Sequence, residues 1–427
     1  MNGISFCRKK DLKLKKNHLL ENFISLGLIQ GINYILPLVT IPFLFNQLGV
    51  EKYGLVNFSF AFIQYFMMFT DFGFGLSGTR YIAENRDDRD KVNRFLNSAT
   101  LSRLCFAVLS FGILVVCIFT IPKFSENKFF TILFFGQVIG NVFNPSWFFQ
   151  GMERMKFNTF LHITTKLVSI LPLFVIVRKP EDCIYIPICY SLGSMIAGAC
   201  SLILIRKQFK MKFFFTSIEE IIKVSKDSGK YFLSRLSVSL FSNTNSFILG
   251  LVCGYTAVGY YSLAEKIYIA LNSIYGPING AIFPYMTKNK NLVLFKKILF
   301  YSTFGNVFLL ACFYVLFPFI CPLFFDSFTS ESMNVLSILI FSNLISLPTT
   351  FLGYPFLAAW GHPDYCNLSL VATSIFHIMG IIFLLLVGNV SIYSVAVMVV
   401  LSELFLLLHR IYGVKKFHLW KSGLSRA

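Results

Sequence analysis

Twelve apolar stretches of roughly 20 residues or more follow one another along the 427 residues, and they constrain this chain more than any motif in it. They cover 22–48, 53–78, 103–121, 129–150, 157–177, 183–205, 231–253, 256–285, 298–320, 333–359, 366–387 and 391–414. A bilayer core about 30 Å thick takes about 20 apolar residues per helix, so each stretch is long enough to span it. Only 14% of the residues are charged, where a soluble domain carries roughly 25%. Fifty-one Phe suit helices whose outer faces meet hydrocarbon. The expected fold is therefore an all-α polytopic membrane protein of about twelve transmembrane helices.

The net charge of +18 would suit a nucleic-acid binder, but its placement argues otherwise. When the connecting segments are assigned alternately to two sides, thirty Lys and Arg fall with the N-terminus and five on the opposite side, with three inside stretches. That bias predicts cytoplasmic termini. Spread over many loops, the charge needs only anionic membrane lipids as its partner, and no nucleic acid. The first apolar stretch is too long for a signal peptide and is expected to remain as a span. Ten Cys, mostly within apolar stretches and without a C-x-x-C pair, argue against a zinc site or a disulfide framework. Neither a metal nor a cofactor is expected.

Sliding the chain against itself by 205 residues sets Gly49 and Gly54 opposite Gly254 and Gly259, each pair at a tight turn between two long helices. Six helices on each side of that division predict two lobes in parallel orientation, related by a pseudo-two-fold axis along the membrane normal. The expected organisation is a basic N-terminus at 1–21, an N-lobe at 22–205, a linker at 206–230, a C-lobe at 231–414 and a C-terminal tail at 415–427.

Ionisable groups inside spans are costly and point to a polar path. Lys166 and Lys266 fall near mid-membrane, with Glu265, His377 and Glu403 at comparable depth; Asp71 and Arg235 lie nearer the cytoplasmic ends. His162 shares a helix face with Lys166, and Arg235 opens a polar stripe that includes Asn243, with Asn245 beside it. These groups would line a lumen, although Asn and Ser also join helices and Lys also pairs with Glu for purely structural ends. The acidic segment 85–90 carries arginines at and beside it and is expected to be a solvated loop with internal ion pairs. The sequence at 228–230 lacks the upstream glycine of a P-loop. No hydrolase or transferase constellation is present and no extramembrane segment can house a catalytic domain, so the chain is not expected to be an enzyme.

Several segments together carry a family resemblance. IQGINYILPLVTIP at 29–42, TDFGF at 70–74 with Thr79 and Arg80, PSWFFQGME at 145–153, NTN at 243–245 and GYYSLAEKI at 259–267 resemble the bacterial O-antigen flippases of the Wzx type. These belong to the polysaccharide-transporter branch of the MOP (multidrug, oligosaccharidyl-lipid, polysaccharide) exporters. The resemblance covers about residues 20–290 and implies a MOP/MATE-like fold that moves an undecaprenyl-diphosphate-linked oligosaccharide across the membrane by alternating access. For such a substrate, the polar groups read above put the expected contacts at Lys166, Lys266, Arg235, Asn33, Asn243, Asn245 and His162, with Trp147 meeting sugar ring faces. Gating or coupling would fall to Asp71, Arg80, Glu265, Glu403 and His377. A polysaccharide polymerase and a chain-length regulator are the protein partners consistent with it. Two alternatives stay open: an ion-coupled small-molecule exporter of the same fold, and a membrane-embedded polysaccharide polymerase or prenyl-diphosphate transferase.

Overall fold

The computed structural model describes residues 2–325 and 328–420, with side chains described at 27, 29, 31–33, 36–232, 236, 243–325 and 328–420. Among these residues the regular structure is entirely helical. Helix α1 (Asn2–Asp71) carries the first two apolar stretches and folds back on itself at Gly49, whose φ of 69° and ψ of 169° no other residue type adopts readily. Phe72 and Gly73 then take positive φ and end α1, and α2 (Phe74–Glu84) completes the second stretch. After α3 (Arg89–Thr120) and the short α4 (Pro122–Ser125), the fourth stretch is broken into α5 (Lys128–Phe134), α6 (Gly136–Val142) and α7 (Ser146–Gly151). Next come α8 (Met155–Ile176), a 3₁₀ turn (Pro180–Ile184) and α9 (Tyr185–Gln208).

The remainder repeats this plan. Helix α10 (Ile218–Val252) is followed by a turn at Gly254, with φ 89°, and by α11 (Tyr255–Ser273) and α12 (Tyr275–Asn289). Then come α13 (Leu292–Phe324) and α14 (Ser330–Phe351), which runs on into a π-helical segment (Leu352–Ala358) with a non-helical Gly353, and finally α15 (Pro363–Val387) and α16 (Ile392–Lys416). Each of the twelve apolar stretches is thus occupied by a helix or by consecutive pieces of one. Eight segments of the described residues are long and apolar enough to cross a membrane by themselves. One of the eight, 31–84, runs over both limbs of α1 and α2; the other stretches fall on α10, and on α5–α7 and α11–α12, where Gly or Pro interrupts the helix. The two broken helices α5–α7 and α14–π share a signature: Pro145 and Pro355 each stand six residues before a glycine, Gly151 and Gly361.

The described residues divide into two compact units, one within 2–40 and 62–235 and the other within 41–61, 236–325 and 328–420. In the first, glycines bring helices into backbone contact: a Cβ on Gly140 (α6) would lie 2.3 Å from the carbonyl carbon of Ser194 on α9, and one on Gly198 2.7 Å from the Gly140 oxygen. Small residues at such crossings are how membrane helices gain dispersion contacts where lipid gives them no hydrophobic drive to associate. In the second, Phe295, Phe356 and Trp360 form an aromatic core with ring centroids 4.4 to 6.2 Å apart. The exposed face of α13 carries Phe300, Phe304 and Phe308 at successive helical turns, a lipid-facing stripe.

Candidate functional site

Polar groups within these bundles gather in a few clusters, and most of the residues singled out from the sequence belong to one of them. In the first unit, α8 presents His162 and, one turn later, Lys166, both partly buried. The ring Nε2 of His162 stands 3.0 Å from Oδ1 of Asn33 on α1. Asn33, His162 and Lys166 therefore form one polar spot on the α1–α8 pair.

In the second unit, His377 of α15 is fully buried and uses both ring nitrogens: Nε2 to Asn245 Oδ1 of α10 and Nδ1 to Ser402 Oγ of α16, each at 2.9 Å. Asn245 is buried with it. A second group joins α10 to α11, where Ser246 Oγ lies 3.2 Å from Ser262 Oγ and donates to Glu265 Oε2 at 3.5 Å. The next residue, Lys266, turns elsewhere on the helix and sets its Nζ 6.0 Å from the Phe60 ring centroid, the outer reach of a cation–π contact. Glu403 is buried on α16, two turns from Arg410. Asn243 is partly buried on α10, and the side chain of Arg235 lies outside the described residues.

Asp71 ends α1 at the break before α2. Arg80, on α2, is exposed, paired to Glu84 at 2.7 Å and reaching Tyr231 Oη at 3.3 Å. The acidic segment after it folds as a cap: Asp88 accepts from the Lys91 amide at 3.1 Å and pairs with its ammonium at the same distance, while Arg86 reaches Glu153 at 2.8 Å. The Lys91 amide holds the Asp88 carboxyl below its usual range.

Two expectations need correction. Trp147, proposed to meet sugar rings, is 1% exposed. A Cβ on Gly78 would lie 2.6 Å from its ring, and Phe95 closes on it edge-on at 5.7 Å, which leaves no face for a ligand. Arg103 and Arg410, counted among loop charges, are buried inside helices. Arg103 donates to the Val142 and Asn141 carbonyls at 3.0 and 2.9 Å and to Asn141 Oδ1 at 2.7 Å where α6 ends; the Asn141 carbonyl also accepts from the Asn144 amide at 3.0 Å. Arg410 donates to the Thr349 carbonyl at 2.7 Å and to Ser369 Oγ at 3.2 Å beside the π segment. Removing both from the loop count leaves the charge bias with the same sense. Arg410 falls inside the apolar stretch 391–414, so its place in a helix was legible, whereas Arg103 only opens the stretch 103–121 and is set inside a helix by the start of α3 at Arg89.

With this geometry in place, comparison with known proteins is informative. Residues 19–290 match the family model described as "Polysaccharide biosynthesis protein". The chain is 30% identical over 292 residues to the "Putative O-antigen transporter" of Escherichia coli (strain K12), an alignment covering 67% of this chain and 70% of that one. It is 24% identical over 282 residues to the "Putative O-antigen transporter" of Shigella dysenteriae, covering 66% and 71%. Among solved structures, the lipid II flippase MurJ in an inward closed conformation aligns with a TM-score of 0.66 at 16% identity, covering 95% of this chain and 90% of that one. An inward-facing MATE-family multidrug transporter of the MOP superfamily aligns at 0.65 with 12% identity, covering 95% and 100%. At such identities the two structures show the fold alone.

Proposed function

This chain belongs to the polysaccharide biosynthesis protein family, and on that premise we propose that it is a flippase for an undecaprenyl-diphosphate-linked oligosaccharide, an O-antigen or capsule repeat unit. The observation that carries the proposal is the alignment with O-antigen transporters over two thirds of the chain. The likeness to multidrug transporters concerns the fold alone, so it does not favour a small-molecule substrate. Transport, not catalysis, is the activity of a chain with these relatives.

The chemistry of the task explains why an apolar bundle keeps costly polar groups. A sugar hydroxyl moved unpaired through hydrocarbon costs about 2 kcal/mol or more, so an oligosaccharide needs a hydrated path. Lys166 and Lys266, with Arg235, would balance the diphosphate; Asn33, His162 and Asn243 would meet sugar hydroxyls. We place both termini in the cytoplasm of a bacterial inner membrane and the direction as cytoplasmic to periplasmic leaflet, by alternating access. A membrane potential, negative inside, favours outward movement of the anionic head group by about 2.3 kcal/mol per charge per 100 mV. A polysaccharide polymerase and a chain-length regulator would act on the product.

The test is surface polysaccharide in a deletion strain complemented with Lys166→Ala or Lys266→Ala, with protein level measured in the same cells. Reduced export at unchanged protein level is the expected result. Full export by both variants would remove the two lysines from the proposal, and failure of the wild-type chain to move a defined lipid-linked sugar between leaflets of proteoliposomes would overturn the function itself.

A further inference from the structure

A cavity of about 500 Å³ opens where α2, the start of α3 and the start of α10 meet, all within the first unit and on the side that the charge bias assigns to the cytoplasm. This volume lies in the range of small-molecule sites. Its wall contains five cations and three carboxylates. Three of the cations are paired, Arg80 with Glu84, Lys91 with Asp88 and Lys230 with Asp227. Arg94, Lys223 and the carboxylate Glu220 also line the cavity, so its wall keeps an excess of positive charge. Such an excess facing one concavity favours an anion that can accept from both Arg94 and Lys223.

The floor of the cavity is built for hydroxyl chemistry. Ser77 and Ser228 are buried and hydrogen-bonded to each other at 2.7 Å. Gly73, in a left-handed conformation, lets α2 approach α10 so closely that a Cβ there would lie 2.5 Å from the Ser228 carbonyl oxygen. Ser98 lines the same cavity and is 1% exposed. A hydroxyl at a cavity wall can donate to or accept from a polar ligand group.

The surroundings say what kind of molecule carries the anion. Phe215, Ile218 and Ile222 are 90%, 75% and 61% exposed on the segment that leads into the cavity, and Ile222 precedes Lys223 directly. Exposed apolar side chains next to basic ones mark the membrane–water interface, where a lipid offers its head group while its tail stays in the bilayer. A freely soluble phosphate would gain nothing from them.

We propose that this cavity is a docking site for a phosphate-bearing lipid head group, with Arg94 and Lys223 on the phosphate oxygens and Ser98 on a neighbouring polar group. Resting on the transport function proposed above, its natural occupant is the diphosphate of the polyprenyl-linked substrate, held at the cytoplasmic face before translocation. This site is distinct from the lysines at mid-membrane.

The test measures binding of radiolabelled farnesyl diphosphate to the full-length protein in detergent, with inorganic diphosphate and phosphatidylglycerol as competitors. Saturable binding is expected, weakened about tenfold by Arg94→Gln with Lys223→Gln and about threefold by Ser98→Ala. Lys128→Gln, a cation elsewhere on the surface, is expected to leave it unchanged. Inorganic diphosphate should compete only weakly, and phosphatidylglycerol should not displace the probe at equal concentration. Arg94 and Lys223 are exposed, and the single Lys223→Gln variant carries the test if the double variant is not monodisperse. Unchanged affinity in these variants overturns the site, and displacement by phosphatidylglycerol overturns its assignment to the substrate in favour of a general anionic lipid. If proteoliposomes show no transport while probe binding still depends on Arg94 and Lys223, the transport function falls and the lipid-phosphate site stands. If transport persists while binding ignores both residues, only the docking site falls.

Discussion

Gly54 and Gly259 meet the opposite turn of each other's hairpin: a Cβ on Gly54 would lie 1.8 Å from the Tyr255 carbonyl oxygen, and one on Gly259 would lie 2.1 Å from that of Val50. The contact is reciprocal, because Tyr255 follows Gly254 just as Val50 follows Gly49, and the 205-residue offset exchanges the two halves of it. The internal repeat is therefore written into a packing contact as well as into the sequence. Backbone carbonyls cannot yield to a methyl group, so Gly54→Ala and Gly259→Ala are each expected to destabilise the protein by about 1–3 kcal/mol. Combined, they should cost less than the sum, since either one already parts the helices. Thermal unfolding in detergent of the two single variants and the double checks both points.

His377 illustrates how the same residue can be assigned to coupling or to architecture. With Asn245 and Ser402 each 2.9 Å from a ring nitrogen, it ties α15 to α10 and α16 inside the second unit. His377→Phe strands a buried amide and is expected to lower stability by about 1–3 kcal/mol. His377→Gln, able to keep one of the two bonds, should recover part of the loss. Transport per folded molecule should keep its pH dependence in His377→Gln; a flattened pH profile would restore the coupling role.

The position and order of the apolar stretches and the glycine turns were legible because each depends on residues close together in sequence: run length for the stretches, and left-handed backbone for Gly49 and Gly254. Side-chain direction was not. Trp147 lies in a motif rich in aromatics, and nothing local reveals that it packs on Gly78, 69 residues earlier. Arg103 was counted with the loop charges because α3 begins before the apolar run does, at Arg89, so the arginine stands inside the helix. The pairing of Asn33 with His162 and of Asn245 with His377 joins residues more than a hundred positions apart, and such pairs follow from helix packing that periodicity does not encode. The cavity at α2, α3 and α10 escaped for the same reason, since Arg94 and Lys223 come from segments 129 residues apart.

Asp88 gives a pH-dependent feature outside the membrane. Its carboxylate caps α3 through the Lys91 amide, and that bond depresses its protonation below the ordinary aspartate range. A group depressed in the folded state stabilises above the unfolded pKa of about 3.9 and loses that contribution as pH falls through the lower folded value. Hydrogen exchange at the first turn of α3 should therefore accelerate only under acid conditions in the wild type. Asp88→Ala should show the faster exchange already at neutral pH, and Asp88→Asn should retain protection at both.

Arg103 and Arg410 make the strongest prediction about stability, because each is a buried cation whose hydrogen bonds go chiefly to groups beside a broken helix. Arg103 meets three acceptors on Asn141 and Val142, just before Pro145 ends the hydrogen-bond ladder; Arg410 meets Thr349 and Ser369 close to Gly353 and Pro355. A planar guanidinium can serve two or three acceptors at once, whereas a lysine ammonium on a flexible stem cannot match that fork. Arg103→Met is expected to cost about 3–5 kcal/mol, since it takes the buried guanidinium's hydrogen bonds from the Val142 carbonyl and the Asn141 side-chain oxygen. Arg103→Lys should recover less than half of that. At Gly353 a Cβ would press to 2.6 Å from Arg410 Nη1, and because that guanidinium is buried and anchored it cannot swing aside. Gly353→Ala should therefore lower the unfolding temperature in the same sense as Arg410→Met, and the two together should be no worse than Arg410→Met alone. Additive losses in that double variant would mean that Gly353 matters for the backbone of the π segment and not for the arginine.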